Sequence, residues 1–223
     1  LRFTAKREIG INEIIERVRS NFPVNFKLSQ EMGNFSLEIA IEDLTRVLMA
    51  IKDVNKFTGE LLFTEFQVDA IVTALRQSWG SETNKSMVIT AGTGMGKTLG
   101  FAIPVITDAL IINRINGRVC SQLLMYPRNA LAKDQYSEIK SYLVKVNNSL
   151  IKDNQKHRCI GIALDADSLL KTEQKNFPAT IQGKPGWGVG GKGKDAYQCA
   201  SEIYGGEKPA SIIACSIESF RRR

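Results

Sequence analysis

Residues 91–98, Ala-Gly-Thr-Gly-Met-Gly-Lys-Thr, have the composition of a loop that binds phosphate groups. The three glycines lack Cβ atoms, so successive backbone N–H groups can turn inward towards an anion. Lys97 has the charge and the length to reach the β and γ phosphates of a nucleoside triphosphate, and the Thr98 hydroxyl is a suitable ligand for Mg²⁺. The strict form of the motif begins with glycine, where this chain has Ala91. The stretch nevertheless predicts a site for a nucleoside triphosphate with Mg²⁺.

The segments on either side of this loop are those that such a site needs. Residues 86–90 form a short β-prone run, and an apolar segment that begins at Leu99 follows the loop. We expect a strand, a loop and a helix in that order, so that the positive end of the helix faces the phosphates. A glycine-rich surface turn that happens to contain Lys-Thr is the alternative, and these flanks argue against it.

Gln67 is the second residue whose type and position could do chemistry. Thr64 is a plausible helix N-cap, and a glutamine three residues later completes a capping box, which is a purely structural role. A glutamine amide also offers a donor and an acceptor together, so it can pair with the N6 and N7 edge of adenine. A helix over residues 68–79 and a polar loop over residues 80–85 separate Gln67 from the phosphate loop, and we expect the two to meet in one cleft.

Composition restricts the class of protein. The chain has 223 residues, and 30 Lys and Arg against 23 Asp and Glu give a net charge of +7, which is compatible with a polyanionic partner. The four cysteines show no C-x-x-C pairing, which favours a reduced cytoplasmic protein over a zinc site. We interpret His157, the only histidine, as a solvated residue at the start of a strand rather than a catalytic base. The longest apolar window, residues 99–112, is too short for a membrane span, so we expect no membrane partner.

The order of elements predicts an α/β fold. Apolar residues at helical spacing predict amphipathic helices at residues 9–19 and from about residue 36 or 41 to residue 52, within a helical accessory extension that we assign to residues 1–60. From residue 61 to 223, strands alternate with helices. The elements predicted after the phosphate loop are, in chain order, a helix through residue 112, a strand at 118–126, a helix at 128–146, a polar stretch at 147–156, a strand at 159–164 and a buried strand at 210–215. Strands separated by helices imply parallel pairing and a doubly wound sheet.

Three stretches together resemble the first motor domain of the superfamily-two DExD/H-box helicases. These are Gln67, the A-x-T-G-x-G-K-T loop, and Tyr-Pro-Arg-Asn-Ala-Leu-Ala-Lys-Asp-Gln at residues 126–135. In that family the last stretch looks like P-T-R-E-L-A-x-Q and grips the phosphodiester backbone at a helix start, which is a sensible phosphate site in its own right. Residues 213–218 look like a divergent form of the next family motif, A-T-P-G-R. The forms of the glutamine and Pro-Arg stretches look more like repair-type or phage-defence-type bacterial helicases, which favours DNA over RNA.

The resemblance implies a fold, ligands and site residues. The fold is an incomplete RecA-like P-loop domain with a parallel doubly wound sheet, preceded by the helical extension, and the ligands are ATP, Mg²⁺ and nucleic acid. Lys97 and Thr98 carry the catalytic role, and Thr98 binds the metal. The residues implied for nucleotide binding are Gln67, Thr93, Gly94, Met95, Gly96, Lys97 and Thr98. The residues implied for nucleic-acid binding are Pro127, Arg128, Asn129 and Gln135.

One part of the family's chemistry is missing from these 223 residues. Hydrolysis requires an acidic pair, D-E-x-H or D-E-x-D, and the chain contains no Asp-Glu sequence. Asp165 and Asp167 precede the 210–215 strand, whereas the family's acidic motif follows it, so we interpret them as an ordinary loop after a strand. The second motor domain and its arginine finger, worth roughly three to five orders of magnitude in rate, are also missing. We therefore expect the chain to belong to a longer helicase and, alone, not to hydrolyse ATP measurably.

Other functions remain open at this point. A P-loop kinase or a GTPase would explain the phosphate loop but not Gln67 or residues 127–135, and a guanine-specific N-K-x-D is absent. A third hypothesis is a non-enzymatic scaffold with a relic phosphate loop. A measurement of nucleotide binding distinguishes this scaffold from a helicase. Residues 183–194, with six glycines and three lysines, predict a loop, which is either a plain insertion or a basic loop near nucleic acid.

Overall fold

A computed structural model describes residues 8–22, 35–54, 62–80, 86–90, 96–117, 119–165 and 210–221. The chain divides into two compact units, Leu1–Ile111 and Ile112–Arg223, and each is described by itself. The loop predicted at 183–194 and Asp167 lie outside the described residues. The boundary predicted at residue 60 stays a prediction.

The described part of the first unit consists of helices and one small antiparallel ribbon. Its elements are β1 (Glu8–Ile9), α1 (Ile11–Ser20), α2 (Leu37–Val54), β2 (Phe63–Thr64), α3 (Glu65–Trp79) and most of α4 (Lys97–Asn116). β1 pairs with β2, so that Glu8 lies opposite Thr64 and Ile9 opposite Phe63. The helices predicted at residues 9–19 and from about residue 36 or 41 to residue 52 are thus confirmed, with slightly different ends.

Apolar stripes hold these helices together. Ile14 and Val18 on α1 are fully buried, as are Leu44, Val47 and Leu48 on α2, and α1 packs against both α2 and α3. The rings of Phe22, just after α1, and Trp79, the last residue of α3, have centroids 5.6 Å apart. Burial of such side chains stabilises the unit by about 1.5–3 kcal/mol each.

The second unit is built on a parallel sheet, as the alternation of strands and helices predicts. The strands are β3 (Gln122–Tyr126), β4 (Ile162–Asp165) and β5 (Ile212–Ser216), in the spatial order β3-β5-β4. Gln122 and Ile162 both lie opposite Ile212, so the three strands begin at one level. Every residue of β5 is buried, whereas β3 alternates between half-buried and exposed residues. The last described strand is therefore the centre of this sheet.

Helix α5 (Asn129–Lys152) packs against all three strands, and a short 3-10 helix, Lys156–Arg158, leads towards β4. Asn147 of α5 is fully buried, and its amide pairs with the backbone of Ile160: Nδ2 donates to the carbonyl oxygen at 2.8 Å, and Oδ1 accepts from the backbone N–H at 3.0 Å. Asn113 of α4 donates to the carbonyl oxygen of Arg158 at 2.8 Å. Two buried side-chain amides thus provide hydrogen-bond partners for backbone groups just before β4. A final helix, α6 (Ile217–Arg221), follows β5.

The structure corrects several element boundaries. Residues 86–90 belong to no strand pair among the described residues, so the strand predicted before the phosphate loop is wrong as stated. α5 continues to Lys152 through part of the predicted polar stretch, because Asn147 and Leu150 face the core. β3 and β4 begin later than predicted, and Asp165 is the last residue of β4 rather than part of a loop. His157 is exposed, but in the 3-10 helix instead of a strand.

The apolar helix α4 also differs from its predicted length. It continues to Asn116, and by length and composition alone it is long and apolar enough to cross a membrane. Of its apolar window, 61 % is buried inside the protein, as in a core helix, so this property is weak evidence for a span. The length argument from residues 99–112 was therefore wrong, and the absence of a membrane partner stays a prediction.

Candidate nucleotide and nucleic-acid sites

The start of α3 is fixed by the capping box that the sequence predicts. Thr64 has an extended backbone, with φ −78° and ψ 154°, and its Oγ1 accepts a hydrogen bond from the Gln67 backbone N–H at 3.4 Å. In return, the Thr64 backbone N–H donates to Gln67 Oε1 at 2.9 Å. Two N–H groups that the helix cannot satisfy by itself are thereby paired. The structural role of Gln67 is confirmed.

The other end of the same amide reaches the phosphate-loop motif. Gln67 Nε2 donates to the backbone carbonyl oxygen of Gly96 at 3.1 Å. Gly96 has φ +68°, and a Cβ at this position would lie 2.4 Å from Gln67 Nε2. Glycine is favoured here, because other residues are strained at this φ and a Cβ would displace the end of the Gln67 side chain. Gln67 and the end of the loop therefore lie together, as expected, while a contact with adenine stays a prediction.

Lys97 and Thr98 are the first two residues of α4, and both are half-buried. The first turn of α4 contains no acidic residue, so nothing there opposes an anion at the positive end of the helix dipole. The position suits a phosphate group for this physical reason. Thr93, Gly94 and Met95, which the sequence also assigns to the nucleotide, lie outside the described residues.

A buried carboxylate ties α4 to the other end of α3. Asp108 Oδ1 accepts from the indole Nε1 of Trp79 at 2.8 Å, and Oδ2 accepts from the Ser78 hydroxyl at 2.5 Å. Burial raises the pKa of Asp108 to about 6, and these two hydrogen bonds oppose that rise. Gln67 and Gly96 join the beginnings of the two helices, and the Asp108 contacts lie about three turns further along each. The helices α3 and α4 therefore run side by side in the same direction.

The residues predicted to bind nucleic acid surround the start of α5, in the second unit. Arg128 is the N-cap, with an extended backbone and no side-chain cap, and both Arg128 and Pro127 are exposed. Asn129 is half-buried, and its Oδ1 is buried with no hydrogen-bond partner among the described residues. The first turn of α5 has no acidic residue. The structure thus brings an exposed guanidinium to a helix start that is free of carboxylates, which suits a phosphate group.

Gln135 lies further along α5 and is held differently. Its Nε2 donates weakly to Glu138 at 3.4 Å, and its Oε1 is buried with no hydrogen-bond partner among the described residues. The hydroxyl of Tyr126, at the end of β3, is also buried with no hydrogen-bond partner among the described residues. Its burial, and to a smaller extent the negative charge of Glu138, raise the pKa of Tyr126 to about 12. The phenol is therefore neutral and keeps its proton at physiological pH.

Over residues 64–178, more than half of the chain, the sequence matches the DEAD/DEAH box helicases. The chain belongs to this family. The match begins at Thr64, the N-cap that holds Gln67, and continues through the phosphate loop, β3, α5 and β4. A parallel sheet with flanking helices agrees with a partial RecA-like domain, and members of the family are ATP-dependent enzymes that act on nucleic acid.

A curated relative supports this family membership. The chain is similar to the protein named ATP-dependent RNA helicase DBP9 of Saccharomyces cerevisiae (strain YJM789), with 30 % identity over 147 residues. The aligned region covers 64 % of this chain and 22 % of the yeast protein, so the chain spans about a fifth of that relative's length. No solved structure matches the chain significantly.

Sequence reasoning overlooked two residues that contact α3. Asp108 interrupts an apolar helix, and a carboxylate in such a place generally needs buried donors. Arg17 of α1 forms ion pairs with Glu13, Glu65 and Asp69. The partners of Arg17 on α3 are about fifty residues away, so no local pattern points to them.

Proposed function

We propose that this chain is the adenine- and phosphate-binding part of an ATP-dependent helicase or translocase that acts on nucleic acid. The observation that carries the proposal is the pair of hydrogen bonds made by the Gln67 amide. One joins it to the backbone of Thr64, and the other joins it to the carbonyl oxygen of Gly96, the residue before Lys97. This contact supports a site in which a lysine would bind phosphate beside a glutamine that would bind adenine. A GTPase or a P-loop kinase has no need of that second element.

The residues present fit ATP and Mg²⁺ in specific ways. Gly96 lets the Gln67 amide approach its backbone closely, and the first turn of α4, which begins at Lys97, contains no acidic residue. Lys97 would neutralise the β and γ phosphates, and the Thr98 hydroxyl would be one ligand of Mg²⁺, with phosphate oxygens and water as others. Gln67 would exchange its contacts with Thr64 and Gly96 for the adenine edge, or add adenine to them.

We further propose that the isolated chain binds ATP without measurable hydrolysis, because its sequence contains no Asp-Glu pair to orient Mg²⁺ and water. In the longer protein, that acidic motif and a second motor domain would complete the site. The pattern of four cysteines without C-x-x-C pairing supports a cytoplasmic location.

The decisive test of the nucleotide site is calorimetric titration of ATP against the chain. Lys97→Ala should lower the affinity at least about tenfold, since a charge-assisted contact with phosphate is lost. Lys145→Ala, which removes an exposed lysine from α5, is the matched control and should bind like the wild type. Equal affinities for Lys97→Ala and the wild type, or no binding to either, would favour the scaffold reading. In the longer protein, Lys97→Ala should abolish ATPase activity stimulated by nucleic acid.

The choice of polynucleotide has two candidates. The forms of the glutamine motif and of residues 126–131 support DNA and a repair-type or phage-defence-type bacterial helicase. The name of the yeast relative, an RNA helicase, supports RNA. Fluorescence anisotropy with single-stranded DNA and RNA of one sequence separates the two, because only RNA offers a 2′-hydroxyl. Tighter binding of DNA keeps the first candidate, and tighter binding of RNA replaces it with the second.

A substitution at the start of α5 tests where nucleic acid binds. Arg128→Ala should weaken binding of every sequence alike and reduce the salt slope of log K by about 0.7, since one phosphate contact is lost on a single strand. Arg76→Ala is the matched control, because it removes one exposed guanidinium from α3. If both variants weaken binding equally, the effect is one of net charge and the start of α5 is not the site.

A further inference from the structure

The segment of residues 8–22, here called the N-terminal arm, lies before the region that matches the family and contacts α3 at both ends. At the start of α3, Ile9 pairs with Phe63 and Glu8 with Thr64, so the ribbon ends on the residue that caps the helix. At the other end, the ring of Phe22 meets that of Trp79. The arm therefore follows α3 along its whole length.

Arg17 is the charged contact between the arm and the first turns of α3. Its guanidinium forms ion pairs with Glu65 and, at 3.8 Å, with Asp69, and it also binds Glu13 of its own helix at 2.9 Å. The hydrogen bonds from Glu65 and Glu13 raise the pKa of Arg17 above its ordinary value, so the charge is permanent. Exposed ion pairs are individually weak, but a guanidinium shared among three carboxylates has a defined geometry.

The position of these carboxylates relative to Gln67 gives the network its significance. Glu65 and Asp69 are four residues apart and therefore project from one face of α3, one turn from each other. Gln67 lies midway between them in sequence, about 200° around the helix, so it projects from the opposite face. The first turns of α3 are consequently held on one side by Arg17 and on the other by Gly96.

We propose that the N-terminal arm positions Gln67 for the adenine base and that Arg17 is the positioning residue through which it acts. This inference rests on the proposed function of Gln67. Loss of Arg17 would remove one of the two contacts that hold the first turn of α3, so that this turn could rotate about its remaining contact with Gly96 while Lys97 keeps its place on α4. The expected defect is therefore in the choice of base and not in the binding of phosphate.

The experiment measures the dissociation constants of ATP and GTP by calorimetry for the chain and its variants. Arg17→Ala should reduce the preference for ATP over GTP about threefold to tenfold, and Arg17→Lys, which keeps the charge without the planar fork, should be intermediate. Arg19→Ala is the matched control. Arg19 lies on the same helix and binds Glu16 and Glu38 but makes no ion pair with α3, so its loss should leave the preference unchanged.

The exchange of charges, Arg17→Glu with Glu65→Arg, should restore part of the preference if the pair acts as proposed. An unchanged preference in Arg17→Ala, or an equal loss in Arg19→Ala, would overturn the role of the arm. Gln67→Ala separates the two proposals. If it loses the preference while Arg17→Ala keeps it, only the role of the arm fails, and if Gln67→Ala itself keeps the preference, the proposed role of Gln67 fails and the inference with it.

Discussion

The side-chain amide of Gln67 joins Thr64 to Gly96: its Oε1 accepts from the Thr64 backbone N–H at 2.9 Å, and its Nε2 donates to the Gly96 carbonyl oxygen at 3.1 Å. One planar group thus connects the cap of α3 to the residue before α4. Any change in the position of either helix start must stretch one of these two hydrogen bonds. The orientation of α3 and the position of the residue before Lys97 are coupled for this reason.

Replacement of Gly96 tests this coupling. Gly96→Ala should destabilise the chain by more than the roughly 1 kcal/mol that a left-handed alanine costs, because the new Cβ would also displace the Gln67 amide. Gly117→Ala is the matched control: Gly117 has φ +71°, but a Cβ there would meet nothing within 4 Å. Urea denaturation of the two variants measures the difference.

The same comparison in a Gln67→Ala background isolates the contact itself. Without the amide, the two glycine substitutions should cost similar amounts, because only backbone strain remains. A difference that persists at full size in that background would show that the clash with Gln67 is not the cause.

Removal of the Thr64 hydroxyl should weaken the start of α3. Thr64→Ala loses the acceptor for the Gln67 backbone N–H, and the expected cost is about 1 kcal/mol in the free energy of unfolding. Thr64→Ser keeps that acceptor and should cost less. Chemical denaturation compares them, and an alanine variant as stable as the serine variant would argue against the cap.

Asp108 should make stability depend on pH. Its pKa is about 6 in the folded chain against an ordinary 3.8, so the folded state holds the proton more tightly than the unfolded state does. The stabilisation is complete below about pH 4 and is lost as the pH rises through 6, by up to about 3 kcal/mol. In Asp108→Asn, which cannot titrate, this loss should be absent, whereas Asp134→Asn, at an exposed site on α5, should behave like the wild type. Thermal or urea unfolding between pH 4 and 7 measures it, and identical profiles for all three chains would contradict it.

Asn147 should be among the most sensitive residues of the second unit. Asn147→Ala leaves the backbone N–H and carbonyl of Ile160 without their partner in a buried place, at an expected cost of about 2–4 kcal/mol. Asn148→Ala, at the exposed neighbouring position, should change the free energy of unfolding by less than about 0.5 kcal/mol. Equal effects of the two substitutions would mean that the Ile160 contacts contribute little.

Local patterns predicted part of this structure well. The capping box of Thr64 and Gln67 follows from four consecutive residues, and the continuous apolar run at 212–215 identified a strand buried on both faces. Parallel pairing followed from the alternation of strands and helices. Each of these predictions depends only on residues that are close together in the sequence.

The features that the sequence did not predict depend on distant partners. Asn147 looked like the start of a polar loop, yet it is buried because its amide binds Ile160 beyond the end of α5. Residues 86–90 have the composition of a strand, but a strand also needs a neighbour, and none of the described residues pairs with them. Arg17 has its partners on α3, and neither its charge nor its spacing on α1 identifies them.

The central place of β5 has a consequence for how this unit assembles during synthesis. β3 and β4 are synthesised first, yet they do not pair with each other. Each forms its backbone hydrogen bonds with β5, and these cannot form until residues 212–216 have been synthesised. Until then neither strand has another partner among the residues that the structure describes, and such unpaired strand edges are slow to resolve and prone to aggregation. A ribosome that stalls before residue 212 would therefore release a chain whose sheet lacks the strand that joins its two halves.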